Sequence, residues 1–122
     1  MDIQQGDIYW VTITPSETKG SEQYGCRPFI IVSRLAINRA GKTVVAVPMS
    51  TAIQGQPAYR IALPVAEISK DLSCTDTLSL SVAKTDQVRV IDKSRLGQKI
   101  GRLSQTATIA VIHGLAFVFD IR

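Results

Sequence analysis

Several short apolar runs, then one convincing helix, predict a mostly β chain with a C-terminal helix. The expected form is a compact, largely antiparallel barrel or sandwich on which that helix packs. Two observations carry this. Runs rich in β-branched and aromatic residues recur, each closed by Pro, Gly or a polar loop. Helical patterning is confined to the last stretch, residues 105–119. At 122 residues, 45% hydrophobic and 20% charged, the chain suits one domain over 1–122 with one sizeable core, and disorder is excluded.

The elements follow in order. Gly6 to Thr14 reads as a strand through Ile8-Tyr9-Trp10-Val11, closed by Pro15. Residues 15–26 form a polar loop long enough to carry function. Arg27-Pro28 opens Phe29-Ile30-Ile31-Val32, a central strand buried on both faces, with Pro28 at its first position. A connector with a helical turn at Leu35-Ala36-Ile37 leads to a strand from Thr43 to Met49. After a turn-rich loop over 50–57, Tyr59 to Leu63 alternates, with Arg60 and Ala62 on the opposite face. A short helix is expected around Val65–Ser69, and strands over Thr77–Val82 and Thr85–Ile91. Asp92 to Leu96 reads as a helical turn and Lys99 to Leu103 as a short strand. Ser104 is placed to N-cap the helix over 105–119. That helix is apolar nearly all round, so it is expected to be covered on more than one side, partly by a second subunit.

Composition narrows the function classes. The net charge of +4 is compatible with a polyanionic partner without establishing one. No apolar run reaches the roughly 18 residues of a membrane span. Met1 to Gly6 lacks a secretory signature, so a cytoplasmic location is expected. Two cysteines, Cys26 and Cys74, form no CxxC, and the single histidine, His113, has no ligand-spaced partner, so neither a metal nor a cofactor is expected. His113 in an apolar helix reads as a buried or interface residue. Gly41-Lys42-Thr43 is not a P-loop, because Ala36 stands where the earlier glycine belongs and a strand follows.

Two stretches carry chemistry. Gly20-Ser21-Glu22-Gln23 precedes Cys26-Arg27-Pro28, and Val47-Pro48-Met49-Ser50-Thr51 ends a strand. Together they offer a cation, hydroxyls, a carboxylate and an amide, which a site for phosphodiester chemistry needs. The planar guanidinium of Arg27 suits bidentate phosphate binding. Tyr24, in the polar loop, is the better base-stacking candidate than Tyr9 or Trp10, whose strand reads as core.

These residues resemble the MazF/PemK/Kid toxin family. Gly6-Asp7-Ile8-Tyr9-Trp10-Val11, Gly20-Ser21-Glu22-Gln23, Gly25 and Arg27-Pro28 match its first block. Val47-Pro48-Met49-Ser50-Thr51 matches the second. Asp86-Gln87-Val88-Arg89, Asp92-Lys93, Arg95-Leu96 and Ile100-Gly101 match the third, and the blocks span nearly the whole chain. The resemblance implies an SH3-like β-barrel of the PemK/CcdB plasmid-toxin fold and a homodimer. It implies a sequence-specific, metal-independent endoribonuclease that cuts single-stranded RNA and is neutralised by a cognate antitoxin. Arg27 and Ser50 would form the catalytic pair, with Ser21, Glu22, Gln23, Thr51, Asp86 and Gln87 lining the RNA groove. Where Kid-like members carry a histidine and an arginine, this chain has Ser21 and Lys84, so Lys84 is expected to contact phosphate. Many relatives have threonine at Ser50, which keeps the hydroxyl.

The implied chemistry agrees with the residues. The neighbouring 2′-hydroxyl of RNA can serve as nucleophile, giving a 2′,3′-cyclic phosphate and a 5′-hydroxyl. The protein must stabilise transition-state charge, at roughly 3–4 kcal/mol per donor. The general base is open between Glu22 and Asp86. An acidic antitoxin tail would compete for the same cations. Two alternatives stand beside this reading: a gyrase-poisoning toxin of the CcdB kind, and a barrel that binds RNA without cutting it. The mixed end Phe117-Val118-Phe119-Asp120-Ile121-Arg122 does not match the uniformly apolar terminus the first requires.

Overall fold

The computed structural model describes residues 2–13, 25–52, 54–71 and 79–121. Eight strands and two helices follow one another. They are β1 (Asp7–Ile13), β2 (Gly25–Ile31), α1 (Leu35–Ala40), β3 (Thr43–Ser50), β4 (Ile61–Leu63), β5 (Ile68–Lys70), β6 (Ser81–Ala83), β7 (Arg89–Asp92), β8 (Leu96–Leu103) and α2 (Gln105–Val118). Single 3₁₀ turns at Val65–Glu67, Thr85–Gln87 and Lys93–Arg95 join several of them. The strands run β4-β6-β3-β2-β1-β8-β5, every pairing is antiparallel, and β7 adds to the first half of β3. The result is a nearly closed barrel with a C-terminal helix, as expected from the sequence.

β2 is the central strand its apolar run predicts. It pairs with β1 from Ile8↔Ile30 to Ile13↔Gly25 and with β3 at Phe29↔Pro48, Ile30↔Val47 and Ile31↔Ala46. Alternation sends Ile30, with Ile8, Val47 and Met49, to one cluster. Phe29 and Ile31 go to the other, with Tyr9, Val11, Ile13, Val44, Ala46 and Ile91. The first cluster is closed by Ala107, Val111 and Leu115 of α2. Ser104 caps α2 as predicted, its Oγ accepting from the Ala107 amide at 3.0 Å.

Several elements differ from expectation. β2 starts at Gly25, so Pro28 lies inside a strand, at a point where pairing with β3 has not yet begun. Ile68–Lys70 is a strand rather than the end of a helix, because β8 offers it Leu103, Arg102 and Gly101 as partners. Residues 85–87 turn instead of extending: the Gln87 amide bonds back to the Lys84 carbonyl at 2.9 Å, and the strand begins at Arg89. β8 is longer than expected, and its register against β1 shifts twice, around Tyr9. The expected strand Thr77–Val82 lies partly outside the described residues; within them Leu80 is exposed and β6 begins at Ser81.

α2 presents one face to this chain and leaves Ile109 and Phe117 exposed, followed by Phe119 and Ile121. His113 is exposed rather than buried. Among the described residues no helix is long and apolar enough to cross a membrane. At Gly114 the helix approaches the backbone so closely that a Cβ would lie 2.5 Å from the Tyr59 carbonyl oxygen and 2.9 Å from Thr85 Cγ2. Gly114→Ala is therefore expected to destabilise the fold by about 1–3 kcal/mol. The check is a lowered urea midpoint at unchanged slope.

Candidate active site

Arg27 lies on β2 and is exposed; Ser50 ends β3 and is half-buried. The β2–β3 register ends at Phe29↔Pro48; Arg27 and Ser50 lie two residues beyond it on their strands, Arg27 paired with Val11 of β1 and Ser50 with Val82 of β6. Both keep the parity of Phe29 and Ala46, so both belong to the face of the second cluster, at its margin. The Ser50 Oγ accepts from the Ala52 amide at 3.1 Å, which turns the chain out of the strand and fixes the hydroxyl at its end. Thr51, immediately after, is exposed.

The other wall is the segment after β6. β6 pairs with β3 at Met49↔Ala83 and Ser50↔Val82, and the Lys84 amide donates to the Pro48 carbonyl at 2.9 Å. Lys84 is thereby delivered beside the end of β3. Burial pushes its ammonium below the ordinary lysine range, with smaller contributions in the same direction from Arg60 and Arg27 and an opposing one from Asp86. Arg27 and Lys84, expected from sequence to act together, thus feel one another's charge. Asp86 and Gln87 sit on the 3₁₀ turn that follows. Buried Thr85 anchors that turn through Oγ1, which donates to the Tyr59 carbonyl at 2.6 Å.

Arg60 is the site residue that the sequence did not reveal. Its Nε and Nη2 donate to the two oxygens of Asp86 at 2.7 and 2.8 Å, and its Nη1 to Gln56 Oε1 at 2.7 Å. In an alternating strand such an arginine reads as a solvated outward position, and no spacing rule links it to a carboxylate 26 residues on. The forked hydrogen bonds from Arg60 hold the Asp86 carboxyl below its usual range, against a smaller effect of burial. Ser21, Glu22, Gln23 and Tyr24 lie outside the described residues, as does Cys74. Cys26 is a free, exposed thiol. Among the described residues no three His, Cys, Asp or Glu side chains are grouped to hold a metal ion.

Because Asp86 is depressed in the folded state, its contribution to stability is present above the unfolded carboxylate range and is lost as pH falls through the folded value. Wild-type protein should lose stability more steeply than Asp86→Asn from about pH 5 down to about pH 2. Urea midpoints across that window check the difference; parallel curves would mean the pair contributes nothing.

Known proteins frame these observations. Residues 4–119 match the family described as PemK-like, MazF-like toxin of type II toxin-antitoxin system. The chain is 31% identical over 118 residues to the endoribonuclease PemK of Escherichia coli, covering 96% of this chain and 82% of that protein. It is 32% identical over 114 residues to the endoribonuclease MazF of Staphylococcus epidermidis, covering 93% and 88%. In fold it is similar to a crystal structure of MazF from Deinococcus radiodurans, with a TM-score of 0.76, 23% identity and 98% coverage of both chains. A mycobacterial endoribonuclease in complex with its cognate antitoxin is similar at a TM-score of 0.69 and 22% identity, covering 99% of this chain and 96% of that one. The chain belongs to the PemK-like, MazF-like toxins of type II toxin-antitoxin systems.

Proposed function

We propose that this toxin is an endoribonuclease that cleaves single-stranded RNA at short sequence words, without a metal, and leaves 2′,3′-cyclic phosphate and 5′-hydroxyl ends. The observation that carries the reading is the placement of Arg27 and Ser50 just beyond the last β2–β3 pair, on the same face, with Lys84 close enough to Arg27 for their charges to interact. A guanidinium and a hydroxyl on one face can hold the two non-bridging oxygens of a phosphodiester. They act where negative charge grows as the 2′-oxygen attacks phosphorus. Lys84 adds a cation for a neighbouring phosphate. Asp86 and Gln87 on the 85–87 turn and exposed Thr51 would offer acceptors and donors to base edges, as would Ser21 and Gln23.

The general base is assigned by elimination between two carboxylates. Asp86 has both oxygens engaged by Arg60 and a depressed pKa, which makes it a weak proton acceptor near neutrality. Glu22 takes the proton from the 2′-hydroxyl as its oxygen bonds to phosphorus, the P–O5′ bond breaks, and the departing 5′-oxygen takes a proton from solvent. Purified protein incubated with a long single-stranded RNA in EDTA should give discrete cuts with 5′-hydroxyl ends. Arg27→Ala and Ser50→Ala should each lower kcat by about 10²–10³-fold, and Glu22→Gln by about 10²–10⁴-fold. Ser50→Thr should stay active. Undiminished cleavage by Arg27→Ala would sink the mechanism, and intact RNA with inhibited gyrase supercoiling would favour the gyrase-directed alternative.

We further infer a homodimer and an antitoxin that occupies the cleft. Ile109, Phe117, Phe119 and Ile121 leave an apolar surface along and beyond α2 that a second copy would cover. An antitoxin tail rich in carboxylates would meet Arg27 and Lys84 as RNA phosphates do. Sedimentation should show a dimer that Phe117→Asp with Phe119→Asp converts to monomer; a wild-type monomer at micromolar concentration would rule this out.

A further inference from the structure

The loop after β3 and the turn after β6 carry different motif blocks, yet one continuous chain of hydrogen bonds joins them. It starts at Ser50, whose Oγ accepts from the Ala52 amide. The Ala52 carbonyl accepts from Gln56 Nε2 at 2.5 Å. Gln56 Oε1 accepts from Arg60 Nη1 at 2.7 Å, and the remaining fork of Arg60 grips both oxygens of Asp86. The Arg60 side chain is 16% exposed and that of Asp86 31%, so this is a partly desolvated pair with matched planar geometry rather than a loose surface contact. Beneath it, Thr85 holds the Tyr59 carbonyl, which fixes the two segments a second time.

The chemistry proposed above needs Arg27, Ser50 and a base; it makes no demand on Arg60. The arginine nonetheless spends three of its N–H groups tying the hydroxyl-bearing end of β3 to the turn that presents Gln87. We propose that Arg60 is a positioning residue that sets the spacing between the Ser50–Gln56 loop and the 85–87 turn, and so governs which RNA word the toxin accepts and how tightly. The inference rests on the ribonuclease reading. Arg60 touches neither the scissile phosphate nor the reacting oxygen; it acts through Gln56 and Asp86. Among the described residues the charged groups around Asp86 are Arg60 and Lys84, with Arg27 near Lys84. Arg60 grips the Asp86 carboxylate with a fork, and a lysine there would keep the charge while losing that geometry.

The test is steady-state cleavage and cut-site sequencing with wild type, Arg60→Met, Arg60→Lys and Asp86→Asn, each normalised to folded protein. Arg60→Met should raise KM about tenfold, more than kcat falls, and should broaden the sequence shared by its cuts. Arg60→Lys should recover part of the affinity without the sharp word. Effects of Arg60→Met and Asp86→Asn should be non-additive in a double variant.

Unchanged KM and unchanged cut sites in Arg60→Met, with a lowered Tm, would make the pair a structural brace and overturn the proposal. Loss of kcat at constant KM would place Arg60 in the chemistry itself and also overturn it. If Arg60→Met does not fold, Arg60→Lys carries the same comparison. Wild type that leaves RNA intact would remove the ribonuclease reading, and this inference with it; active wild type with unaltered Arg60 variants removes the inference alone.

Discussion

Everything in this fold hangs on the register of β2 between its two neighbours. Phe29, Ile30 and Ile31 are each buried, yet they face opposite ways, Ile30 toward the cluster that α2 closes and the other two toward the second cluster. A one-residue slip would exchange those faces and strand every side chain on the wrong one. Arg27 and Ser50, the proposed catalytic pair, lie two residues beyond Phe29 and Pro48, so the packing that holds the barrel also places them. The proposed site needs no separate scaffold: it lies where β2 and β3 part, β2 staying on β1 while β3 passes to β6.

Charge is handled differently at two places in the molecule. Asp7 has no solvent exposure and is met by Arg102 at 2.8 Å, by Lys99 at 3.3 Å and by the Gln4 amide at 2.9 Å. A buried carboxylate must be satisfied in this way or neutralised. That group is closed and structural. Elsewhere Asp86 is held by Arg60, which takes both of its oxygens, and feels Lys84, while Arg27 lies near enough to Lys84 for their charges to interact. Among the described residues these three cations have one carboxylate acting on them, so the cluster is open to an anion from solution.

Much of this was legible in the sequence, for identifiable reasons. β1, β2 and β3 are runs of β-branched and aromatic residues, and Ser104 before a helical pattern is a cap with a mechanism. Arg27 and Ser50 stood out because polar groups at the ends of apolar strands have no packing role to fill. What stayed hidden depends on partners distant in the chain. Ile68-Ser69-Lys70 has too few residues to show a period and becomes a strand only because β8 is beside it. Thr85-Asp86-Gln87 follows an extended segment and precedes another, so its turn is invisible until Thr85 bonds to Tyr59. Arg60 obeyed the alternation of an exposed strand position. Its role arises from the fold alone, which brings Gln56 and Asp86 to it from either side.

The pairing of β1 with β8 has a bearing on when the toxin comes into being. Asp7 and Arg102 are 95 residues apart, and the two strands they bridge are the first and the last of the chain. Contacts of such long range form late, since most of the chain must be ordered or looped out first. A chain growing from its N-terminus therefore carries Asp7 without its Arg102 partner until β8 has been made. β2 and β3 can meet earlier, but the segment bearing Lys84 and Asp86, and the helix that braces it at Gly114, follow them. A product cut short before β8 would lack both the partner that satisfies Asp7 and the helix that holds the 85–87 turn.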